Sequence, residues 1–208
     1  MTWTALEIAL MTSLTCKVRV LSTQQIINAW KQEHSTKTLA FSVRRLNAAR
    51  LIRVENWTVV LPKVSSKPLF TWKPGQQQPD TWPLSKEARS RWNRPASTIE
   101  VFQATNLAGR VFGSRSGHKI REIERRHDLL LSEVFVLYRL GLPKLADCWI
   151  GEDALPIAER GVKNPDAFLV DEQYQPRRVI ESAGSYSQKQ MDTFHEYCRQ
   201  CRLPYELW

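Results

Sequence analysis

Residues 164–184 read NPDAFLVDEQYQPRRVIESAG. Pro165 and Asp166 open one apolar run, DAFLVD, and a second run, RVIESA, carries Glu181 near its end. Both runs have the length and apolar content of buried strands, and the polar segment Gln173–Pro176 between them marks a turn. Adjacent strands lie about 4.8 Å apart. An aspartate at the start of one and a glutamate near the end of its antiparallel neighbour therefore come side by side. Two such carboxylates can share one Mg²⁺, with the Ser182 carbonyl as a further ligand. The ion would bind a phosphate oxygen and acidify a bound water. A lysine two residues after the glutamate would balance charge and orient that water, but the chain has Ala183 there. Lys189, on the following helix, is the candidate to replace it.

Outward from this stretch the pattern continues. IREIERRHDLLLSEVFVLYRLG is a long helix ending at Gly141, and ADCWIGEDAL holds a short strand. SYSQKQMDTFHEYCRQCRL is a helix, with Ser185 as N-cap, Gln188 closing a capping box, and a stripe of Met191, Phe194, Cys198 and Cys201. PYELW closes as a strand, and TIEVFQATNLAGRVFG gives a strand and an irregular turn before the long helix. The order α-β-β-β-α-β is that of the restriction-endonuclease-like fold, whose pattern is PD followed by (D/E)xK. The fold class is α+β or α/β. His127 and Asp128, early in the long helix, can orient water or grip a phosphate; equally they can cap and solvate the helix. His195 reads as a packed histidine. Arg110, Arg115, Lys119, Arg121, Arg125 and Arg126 precede or open that helix and could meet phosphates.

Residues 1–62 read as three helices and a hairpin. Leu6, Leu10 and Leu14 form one stripe. Ser22 and Gln25 have capping-box spacing, with Ile26, Ile27 and Trp30 as the buried face of that helix. Leu39, Val43, Leu46 and Leu51 face the core from the third. IRVENWTVVL alternates as two short strands about a turn near Asn56. This is the plan of a winged helix-turn-helix, whose third helix enters the major groove. The contact candidates are Lys37, Thr38, Ser42, Arg44 and Arg45, with Arg53 on the hairpin. Small winged helices also dock proteins. Charge favours DNA: the first 98 residues carry 15 Lys and Arg against 5 acids, and the remaining residues 15 against 16. A basic half joined to a balanced half suits double-stranded DNA.

Residues 63–98 are rich in Pro, Gln and Ser and read as a connector. Trp72, Trp82 and Trp92 argue that it lies anchored along the protein, with a short helix in SKEARSRW. Residues 99–208 then form the second domain. The cysteines, Cys16, Cys148, Cys198 and Cys201, lack the spacing of a zinc site and read as reduced thiols. No apolar run approaches the length of a membrane span, and no signal peptide is read. A cytoplasmic protein is expected.

Taken together, the winged helix, the WKPG connector at 72–75, HDL at 127–129, PDA at 165–167, IESAG at 180–184 and the final YELW resemble the replication-relaxation-like proteins of plasmids and integrative elements. The resemblance implies a winged helix joined to a restriction-endonuclease-like domain that is often degenerate, DNA as partner, and a role in replication, transfer or transcription control of a bacterial mobile element. Carried over by residue, it makes Asp166 and Glu181 the acidic pair, His127 the helix histidine, and Gly184 the glycine after the acid. Mg²⁺ is the cofactor if the site cuts; otherwise none is implied. A protein partner of the element, and a winged helix working as monomer or homodimer, are both compatible with this.

Overall fold

The computed structural model describes residues 2–61, 64–156 and 164–208. The chain is α+β, and these residues form eight α-helices and two sheets. Three helices come first: α1 (Ala5–Thr12), α2 (Thr23–Trp30) and α3 (Thr36–Ala48). Thr4, Ser22 and Ser35 cap them, and the capping box of Ser22 with Gln25 is present as expected. A π-turn (Ser13–Lys17) extends α1. Leu6, Leu10 and Leu14 are buried against Ile26, Trp30, Leu39 and Leu46.

Ile52–Val59 is one unbroken strand, β2, and not a hairpin about Asn56. Its partner is β4 (Ser97–Ala104), paired antiparallel from Ile52↔Ala104 to Val59↔Ser97, with Asn56 opposite Glu100. The physical reason is local. Asn56 is followed by Trp57, which is fully buried, and no glycine supplies the positive φ that a tight hairpin turn needs. The short strand β1 (Leu21–Ser22) pairs with the other edge of β4, giving the order β1-β4-β2. The boundary expected at Pro62 lies outside the described residues, and the one expected at residue 98 falls inside β4. After β4 comes a helix, α5 (Asn106–Phe112), where an irregular turn was expected; Thr105 caps it.

The second sheet has the order β3-β8-β7-β6-β5. Its strands are β3 (Phe70–Trp72), β5 (Trp149–Gly151), β6 (Ala167–Val170), β7 (Pro176–Glu181) and β8 (Tyr205–Leu207). β5, β6 and β7 are antiparallel neighbours, and β7 runs parallel to β8. The long helix α6 (Arg125–Gly141), entered by a 3₁₀ turn (Glu122–Glu124), packs on one face through Leu130, Val134 and Tyr138. α7 (Pro143–Asp147) leads from it into β5. The other face holds α8 (Gln188–Gln200) through Met191 and Cys198. The cap of α8 is Ser187 with Gln190, two residues beyond the Ser185–Gln188 pair read from sequence; Cys201 lies exposed at its C-cap. A serine and a glutamine at capping distance occur twice in SYSQKQ, so spacing alone could not choose.

Residues 64–96 are anchored, as their tryptophans indicate. β3 adds a strand to the edge of β8, and the Trp72 ring stacks on Tyr205 with centroids 5.7 Å apart. α4 (Thr81–Ser90) packs beside α8, its Thr81 hydroxyl 2.6 Å from Asp192. The two sheets share a continuous apolar core. Gln25 Nε2 donates to the Leu129 carbonyl at 3.0 Å, and Arg139 Nε to that of Ala29 at 3.0 Å. No helix among the described residues is long and apolar enough to cross a membrane.

Candidate functional site

The antiparallel pairing of β6 with β7 brings the acidic pair together. Asp166, at the entrance to β6, is 1% exposed, and Glu181 is also buried. The Asp166 amide donates to Glu181 Oε2 at 3.1 Å, and the Ser182 amide donates to Asp166 Oδ2 at 2.8 Å. The Tyr186 hydroxyl donates to Glu181 Oε1. From the first turn of α6, His127 reaches the same spot. Its Nε2 lies 2.9 Å from Asp166 Oδ2 and its Nδ1 3.2 Å from Asp128 Oδ1. The sequence-derived trio of Asp166, Glu181 and His127 is thus one cluster.

Among the described residues, the His127 imidazole is the basic group against Asp166. Burial pulls the imidazole pKa down, but Asp166 and Asp128, by charge and hydrogen bond, outweigh this and hold it well above the usual histidine value. The two carboxylates thus favour its protonated form. Asp128 is bracketed on its far side by Arg19 at 3.3 Å, whose own pKa is raised: burial opposes, but Asp128, Asp153 and Glu124 prevail. Sequence reading passed over Arg19. The signal that could have flagged it is a lone cation between two valines, Val18 and Val20, both buried.

Two hollows flank the cluster. A cleft of about 650 Å³ takes in Asp166, His127, Arg19 and Asp153, with Trp92 and Arg126 at its wall. A groove of about 510 Å³ takes in Glu181, Lys189, Phe194 and Tyr197. Tyr186 and Gln190 line both and stand between them. Gly184 closes the cleft at φ +50°, a left-handed conformation that suits glycine, and its carbonyl accepts from Trp92 Nε1 at 3.0 Å.

Lys189 is exposed and lines the groove with Glu181, while Asp166 opens on the cleft. Ala183, where the motif lysine would stand, is 0% exposed among Met191, Cys198 and Tyr205. That slot is apolar core. Among the described residues no three His, Cys, Asp or Glu side chains are gathered as a metal site. As arranged, Asp166 Oδ2 accepts from the Ser182 amide and faces His127 Nε2, while Glu181 accepts from the Asp166 amide and the Tyr186 hydroxyl.

The basic candidates divide. Lys37, Thr38 and Arg44 are exposed on α3. Ser42 is buried against the core and is corrected from contact to packing. Arg45 is turned inward, with Nε 3.3 Å from Glu7 and Nη2 3.2 Å from the Thr2 carbonyl. Glu7 is 0% exposed, so removing Arg45 strands a buried charge. Arg45→Ala is expected to lower unfolding free energy in urea by about 2 kcal/mol. Arg53 is held by the Gln103 side chain and the His118 carbonyl. Phe41, exposed on α3, was not singled out from sequence. Comparison of the chain with protein-family models, with curated proteins and with solved structures finds no match.

Proposed function

We propose that the chain binds duplex DNA through α3 as a winged helix, and that its second sheet is a restriction-endonuclease-like module whose acidic pair is neutralised internally. The observation that carries this is α3 itself: an acid-free helix with Lys37 and Arg44 exposed, set on three strands in the order β1-β4-β2. In a winged helix the third helix enters the major groove, and its cations neutralise phosphates. The surplus of basic residues in the first 98 supports the same reading. The β2–β4 pair takes the place of the hairpin in that plan, and the segment between its strands carries β3 and α4 across to the second sheet. A role in replication, transfer or transcription control of a mobile element is part of this proposal, and rests on the resemblance alone.

For the second module, the sheet order and the adjacency of Asp166 to Glu181 support the nuclease-like fold. Ala183 in the core and His127 on Asp166 support a module that does not cut. Adjacent carboxylates favour a second reading, an endonuclease that uses Mg²⁺ with Lys189. The test is incubation with supercoiled plasmid in Mg²⁺, in Mn²⁺ and in EDTA, beside an Asp166→Ala, Glu181→Ala variant. Retarded, uncut plasmid in every lane is the expected result. Metal-dependent cleavage that the variant loses would establish the endonuclease instead.

A further inference from the structure

We propose that Phe41 is a base-reading side chain of α3 and takes the 5-methyl group of a thymine in the major groove. This rests on the DNA-binding reading above and names what that helix reads. Phe41 is 60% exposed. Lys37, Phe41, Arg44 and Ala48 are spaced so that they fall in one line along the helix, and all are exposed. Leu39, Ser42 and Leu46 hold the opposite side in the core. The outward line thus presents an aromatic ring bracketed by two cations, with no acid anywhere in the helix. Arg45 flanks the ring, its guanidinium carbon 5.9 Å from the centroid, and is itself fixed by Glu7. One side of the ring thus faces a guanidinium that is ion-paired to a buried carboxylate.

Charge complementarity selects the occupant. An apolar protein surface laid on this line would desolvate Lys37 and Arg44 without compensation. Duplex DNA meets both needs at once, with phosphates or a guanine edge for the cations and an apolar group for the ring. Of the four bases only thymine offers an apolar group, its C5-methyl, in the major groove.

The experiment starts with selection of bound duplexes from a randomised pool by the full chain. The enriched duplex is then prepared with thymine or with uracil, which pairs identically but lacks the methyl. Titration of wild-type and Phe41→Ala proteins follows, by fluorescence anisotropy. Wild type is expected to lose about fourfold in affinity when the read thymine becomes uracil, the worth of one buried methyl-sized group. Phe41→Ala should bind both duplexes alike, at the level of wild type on uracil. Equal binding of both duplexes by wild type, or an unchanged thymine preference in Phe41→Ala, overturns the proposal. Salt-sensitive binding with no enriched sequence also overturns it and leaves the DNA-binding reading standing. If no duplex is bound at all, both fall. Self-association of wild type that Phe41→Ala abolishes would assign this face to a second copy of the chain. Phe41 is exposed, so its replacement leaves the fold intact.

Discussion

Replacing Lys37 and Arg44 together with alanine is expected to weaken duplex-DNA binding on the order of a hundredfold at constant salt, while changing the melting temperature by no more than about 2 °C. Both side chains stand exposed on α3, clear of the core that Leu39 and Leu46 build. On the proposed reading their loss removes a phosphate or base contact each and leaves packing untouched. Arg45→Ala gives the reverse pattern, because that guanidinium is spent on buried Glu7: stability falls first, and binding follows only as far as α3 loosens. The contrast is informative because the two arginines are adjacent in sequence. Anisotropy titrations beside thermal melts of the double and single variants check it. A double variant that binds as wild type does would remove α3 from the interface.

The second large effect concerns His127. Its side chain is 28% exposed at the cleft, its partner Asp166 is buried, and His127→Ala removes the imidazole that lies 2.9 Å from that carboxylate. A loss of about 2–3 kcal/mol in urea is expected, the lower part of the range for breaking a buried pair, since the histidine is partly solvated. Asp166→Asn added to His127→Ala should recover part of it by removing the buried charge that faced the imidazole. pH gives a further signature. The folded-state pKa of His127 is raised well above its unfolded value near 6.5. Between those two values the native state holds a proton that the unfolded chain has lost. The stabilisation is therefore complete below about pH 6.5 and fades as pH rises through the folded pKa. Asp166 and Asp128 face the ring, and Arg19 lies behind Asp128. The gap in stability between wild type and His127→Ala should accordingly narrow from pH 6 towards pH 9. A gap constant with pH would show that His127 gains no proton affinity on folding.

Much of this was legible in the sequence where the signal was local or where two strands had to meet. The PD and the distant glutamate sit in runs short and apolar enough to be strands, and their pairing as β6 and β7 places Asp166 beside Glu181. Leu6, Leu10 and Leu14 lie on the buried stripe their spacing indicates. What failed was long-range. Alternation in IRVENWTVVL is the same for one strand as for a hairpin, and only the pairing with Ser97–Ala104, about forty residues on, decides it. Ser42 and Arg45 looked like outward polar residues because periodicity cannot tell a buried serine from an exposed one, nor see that Glu7, on a different helix, will claim the guanidinium. The ion-paired state of His127 was likewise hidden. Its partner in the ring's charge balance, Asp166, is on another element, and which cation sits beside a carboxylate is a property of the packed structure.

The most direct measurement is the affinity of the full chain for a short duplex as a function of salt concentration. A chain that grips DNA through several phosphates should lose affinity steeply from 50 to 200 mM salt, with log K falling linearly in log salt and about one counterion released per phosphate neutralised. No binding at low salt, or binding indifferent to salt, would contradict a winged helix that meets DNA through Lys37 and Arg44.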